Sequence, residues 1–142
     1  MPVLPQAART GYVTAVLVVF GGYSAVVGLC MMVAPGAFFD SLGAFGVRND
    51  HYIFDAGSFE LPLGLLLLAA LRLPTWRPAA LAYATAHWAL HALSHGLDTD
   101  HADGRSIGLA EFGGLAIGTI ALGVAVALTL PRHISLNDKE DR

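Results

Sequence analysis

His87, His91, His95 and Asp98 recur at spacings of three and four residues. On a helix advancing 100° per residue they fall within about 80° of arc, a single polar stripe. A preceding apolar stretch carries His51 and Asp55 four residues apart, then Glu60 roughly 140° further round from Asp55. A following one carries Glu111 near its start. Neutral imidazole and carboxylate are the usual ligands of zinc, iron, manganese and copper(II), and histidines at i and i+4 offer two nitrogens to one ion. Ligand bonds of about 2.0 to 2.2 Å keep His87 and His95, about 12 Å apart along a helix axis, from sharing an ion. The expected ligands are therefore His91 and His95 with Asp55 or Glu111, and His51 near the same level. His87, Glu60 and Asp98 are expected around that centre, supporting the ligands, forming a second ion site or carrying protons.

The same residues admit other chemistry. A metal-free network of histidines and carboxylates would fix helix register in a structural or assembly protein. Titrating histidines would serve a proton-coupled carrier of a small solute. Haem needs axial histidines on facing helices, for which His51 is the partner at the right level and His133 lies at the opposite end. Paired Glu-x-x-His elements of a di-iron carboxylate protein are absent. Cys30, Met31 and Met32 form a soft-ligand group that would favour copper(I), or equally serve as apolar filler. One cysteine excludes an intrachain disulfide and a Cys-x-x-Cys redox motif. Neither a nucleophile elbow nor a glycine-rich phosphate loop is present, so a hydrolase is unsupported and nucleotide is not an expected partner. Eight Lys+Arg against eleven Asp+Glu give a net charge of -3, with no basic tract for nucleic acid.

The elements that must carry these residues belong to a membrane. The chain has 142 residues, 55% hydrophobic and 13% charged, where soluble domains average about 25% charged. Mean hydropathy is +0.59. A hydrocarbon core about 30 Å thick needs roughly 20 apolar residues in a helix. Runs over 11–34, 51–71, 77–97 and 106–130 meet that length, and Pro-Gly or polar punctuation separates them. The first run is too long, and lacks a convincing cleavage site, for a removable signal. The expected fold is all-α, a four-transmembrane-helix bundle running up-down-up-down in the cell membrane.

Arg9, Arg72, Arg77, Arg132, Lys139 and Arg142 fall on one side of that arrangement, and only Arg48 and Arg105 on the other. Basic residues are retained in the cytoplasm, so both termini are expected there. Residues 1–10 then form a cytoplasmic N-terminal segment, 131–142 a polar cytoplasmic tail, and 35–50 and 98–105 outer loops. This orientation puts the histidines and carboxylates in the outer half of the bundle. Gly21, Ser24 and Gly28, then Gly57 and Gly64, then Ala110, Gly114 and Gly118 recur at helical spacing. Such faces serve close packing within one bundle, a homo-oligomer or a membrane complex. Glu60 shares its side with Gly57 and Gly64, which turns it toward another helix.

The layout resembles small bacterial four-helix membrane proteins of the DoxX-like kind over nearly the whole chain. The resemblance rests on Gly46-Val47-Arg48-Asn49-Asp50-His51 with Asp55, on the Pro74-Thr75-Trp76-Arg77-Pro78 turn, and on His87, His91, His95 and Asp98. It implies architecture. Some members of that group are associated with quinone-linked or thiol redox systems, and the single cysteine excludes the thiol branch.

Overall fold

The computed structural model describes residues 5–43, 46–101 and 104–130. Among these every regular element is helical: α1 (Gln6–Val33), α2 (Pro35–Ser41), α3 (Asp50–Arg72), α4 (Arg77–Leu97) and α5 (Arg105–Thr129), with 3-10 turns at Pro74–Trp76 and Thr99–His101. The expected polar tail, with His133 and three of the basic residues used to orient the chain, lies outside the described residues, as does the start of the N-terminal segment.

The long helices follow the apolar runs. α1, α3 and α5, of 28, 23 and 25 residues, are long and apolar enough to cross a membrane. α4 has 21 residues, also a spanning length, but its histidine stripe keeps it out of that group. α2 falls where an outer loop was expected. Pro35 opens it, since its fixed φ suits a first helical turn and its missing N–H is not needed there. Phe38 O then closes it by accepting from the N–H groups of Leu42 (2.9 Å) and Gly43 (3.0 Å). Asn49 starts α3, its side chain accepting from the N–H groups of His51 (3.1 Å) and Tyr52 (3.3 Å). Pro62 lies inside α3 without ending it, although it cannot donate to the Ser58 carbonyl.

The main packing is of α1 on α3 and of α4 on α5, with lighter contacts between α3 and α4 and between α1 and α5. Small residues make the α1–α3 seam. A Cβ on Gly28 would overlap the backbone of Leu61, and one on Gly64 the backbone of Ala25. One on Gly57 would meet Met31 and Met32, so these methionines act as filler across the seam. On α5 the expected small-residue face divides. Gly118 is buried under the Trp88 ring, while Ala110 and Gly114 are exposed. Trp88 also meets Phe20 edge to face, with centroids 4.7 Å apart, and Tyr23 at 5.7 Å. It thereby joins α1, α4 and α5 through packing.

The core divides along the helix axes. Leu17, Leu63, Leu67, Leu81, Leu122 and neighbouring alanines fill the half containing the start of α1 and the end of α5. The other half holds the buried Glu60 and the histidines of α4. Apolar side chains also cover the outside, among them Val26, Leu90, Ile117 and Ile120.

Replacing Gly64 by Val is expected to force α1 and α3 apart and lower stability by about 2 kcal/mol or more. Gly114→Ala, where an added Cβ meets nothing within 4 Å, is expected to be neutral or slightly stabilising. Thermal unfolding of both variants in detergent checks the pair.

Candidate metal centre

Glu60 occupies the middle of α3 between Gly57 and Gly64, on the side packed against α1. It is only 7% exposed. An isolated carboxylate in such surroundings costs several kcal/mol, so it requires a partner. His87 of α4 supplies one, its Nε2 lying 2.6 Å from Glu60 Oε1. The tautomer decides which of the two atoms carries the proton. The other Glu60 oxygen is also buried, with the Ser24 hydroxyl of α1 as a polar neighbour. The Glu60–His87 contact therefore ties α3 to α4 across the light interface between the two helix pairs.

One helical turn along α4, His91 completes the group. Glu60, His87 and His91 each present a ligand atom, and the three atoms lie within 4.8 Å of one another. Among the described residues this is the one set of three such side chains so gathered. Burial decreases across it, from buried Glu60 through half-buried His87 to exposed His91. The group therefore opens to the surface of the chain on the His91 side.

The array continues beyond His91. His95 Nε2 is 3.2 Å from His91 Nε2, close to the spacing of two ligands on one tetrahedral ion with bonds of about 2.0 Å. His95 Nδ1 is 3.3 Å from Glu111 Oε2 of α5. A carboxylate on the far nitrogen is the usual device for fixing a histidine's tautomer and ring orientation. The polar stripe of α4 thus runs from Glu60 on α3 to Glu111 on α5.

The expected residues separate accordingly. His91, His95 and Glu111 come together as a chain of neighbours, and Glu60 and His87, expected around the centre, form its most buried part. His51 and Asp55 pair with each other at 3.5 Å, and both are highly exposed. The cause is angular. Asp55 is about 140° around α3 from Glu60, so a helix that turns Glu60 inward carries Asp55 outward. Asp98 is the residue following α4, its N–H donating to Ser94 O. His51, the haem partner considered on a facing helix, belongs to the exposed pair.

No family model, curated protein or solved structure matches the chain.

Glu60→Ala is expected to cost about 3 kcal/mol, because it leaves half-buried His87 without its partner. Combining Glu60→Leu with His87→Leu is expected to cost less than the sum of the two single changes. Unfolding midpoints of the four proteins of that cycle in detergent measure the coupling.

Proposed function

We propose that the chain is an integral membrane protein, with four spans and both termini in the cytoplasm, that binds a divalent transition metal through Glu60, His87 and His91. The observation carrying this reading is the convergence of three ligand atoms from two helices, within 4.8 Å of one another around buried Glu60. Two imidazoles and one carboxylate suit zinc with an open position, or iron(II) in a facial arrangement. An open position facing exposed His91 would admit water or a small ligand. The role that follows is metal handling, or redox or accessory chemistry in the membrane. His95 and Glu111 would steady His91 and carry protons to and from it.

Loading the site displaces the proton shared by His87 and Glu60, because metal ligands must be deprotonated. Tetrahedral ligands with bonds of about 2.0 Å stand about 3.3 Å apart. His87 and Glu60 would therefore separate slightly from their 2.6 Å contact. That same contact favours a second reading, a metal-free polar network that specifies how the helix pairs dock.

Support for the membrane setting comes from the three long apolar helices and from the apolar outer surface. Orientation follows from the basic residues: Arg9, Arg72 and Arg77 lie at one end, Arg48 and Arg105 at the other. The resemblance to DoxX-like proteins agrees with this arrangement.

Protein purified in detergent without a histidine tag is expected to contain near-stoichiometric metal, or to take it up on reconstitution. His91→Ala and Glu60→Gln are expected to lose it, whereas His51→Ala and Asp55→Asn retain it. Elemental analysis distinguishes these outcomes. Absence of metal from the wild-type protein after reconstitution with zinc, iron(II), manganese and copper(II) would leave the metal-free network in its place.

A further inference from the structure

At the opposite end from the histidines, a cavity of about 460 Å³ opens between the start of α1, the α3–α4 turn and the end of α5. Arg77 stands roughly 21 Å from His91 along α4, at 1.5 Å per residue, so this is a separate place. Arg9 and Arg77 both line the cavity, and among the described residues no Asp or Glu does. Gln6 and Thr10 add polar groups, and Val13 and Leu128 give it apolar walls.

The two guanidinium groups are held in place by backbone. Arg9 Nη2 donates to Leu128 O at 2.8 Å, while Arg77 Nε and Nη2 donate to Ala70 O (3.1 Å) and Leu71 O (3.2 Å). These carbonyls belong to the last turns of α5 and α3, each equivalent to roughly half a negative charge. Two full positive charges therefore exceed what the helix ends neutralise. Donors also remain: Arg9 Nε is buried without a hydrogen-bond partner among the described residues. A guanidinium has five N–H donors in a planar fork, which matches phosphate oxygens two at a time.

We propose that this cavity binds a phosphate group, with Arg9 and Arg77 as its ligands and Gln6 and Thr10 at its edge. The proposal rests on the membrane setting only for the source of the ligand, and it is independent of metal at the other end. In a spanning protein the cavity lies at headgroup level, where an anionic phospholipid places its phosphate on the arginines and its glycerol region on the apolar walls. The cytoplasmic leaflet is the one rich in anionic lipid and the one to which basic residues orient. A free phosphate offers the same oxygen atoms without the apolar part.

The test is thermal unfolding of the full-length protein in detergent with added short-chain phosphatidylglycerol, phosphatidylcholine or inorganic phosphate. Phosphatidylglycerol is expected to raise the midpoint saturably by several degrees, with a smaller effect of phosphatidylcholine, whose choline cancels the phosphate charge. Arg77→Gln is expected to remove most of that shift. Gln6→Glu changes an exposed position and keeps both arginines with their carbonyl bonds, yet places a carboxylate at the cavity; it is expected to lose the shift while folding normally. If inorganic phosphate reproduces the full shift and competes with the lipid, the phosphate site stands with a soluble ligand. Equal shifts from the two lipids, no shift from either lipid or phosphate, or a full shift retained in Gln6→Glu would each overturn it.

Discussion

The contact between Glu60 and His87 constrains everything around it. A carboxylate inside a largely apolar helical assembly has to be partnered, and the partner is a histidine on a neighbouring helix 2.6 Å away. Holding those two side chains together fixes the rotation of α3, the rotation of α4 and the level at which they meet. α3 can turn Glu60 inward only if its neighbours on that side allow α1 to come close, and Gly57 and Gly64 allow it. Asn49 starts the helix in the corresponding register, and Arg77 secures its other end through Ala70 O and Leu71 O.

Stability and chemistry occupy different halves of the molecule. Leucines and alanines from all four long helices interlock at one end, while the other end gathers histidines and carboxylates from α3, α4 and α5. Trp88 follows His87 in sequence, about 60° around α4 from His91, and packs over Gly118 and against Phe20. It braces α4 beside the polar stripe, so the histidines are carried by a helix held against α1 and α5. Ligand geometry needs such support, because a loose scaffold does not hold donor atoms at coordination distance.

The long helices were legible in the sequence because hydropathy over some twenty residues is a strong, local signal. α2 was not, since seven residues are too few for periodicity to register. At the site, the stripe of α4 was legible from spacing alone, and it supplies His87, His91 and His95. The choice of carboxylate was harder. Level favours both Asp55 and Glu111; Glu111 does lie 3.3 Å from His95, whereas Asp55 is carried outward by its rotation about α3. The shared side of Glu60, Gly57 and Gly64 already carried that rotation. Depth also agreed, since Glu60 and His87 were each the deepest member of their helix. The small-residue face of α5 shows the reverse limit: spacing puts Ala110, Gly114 and Gly118 together, but of the three only Gly118 is buried.

X-ray absorption spectroscopy on full-length protein loaded with zinc or cobalt(II) addresses the coordination of a metal by Glu60, His87 and His91 most directly. The expected spectrum has a nitrogen and oxygen shell at about 2.0 to 2.1 Å with outer-shell scattering from two imidazole rings, and His91→Ala loses that signal together with the metal. A sulfur shell from Cys30, or a spectrum without imidazole scattering, would contradict the account.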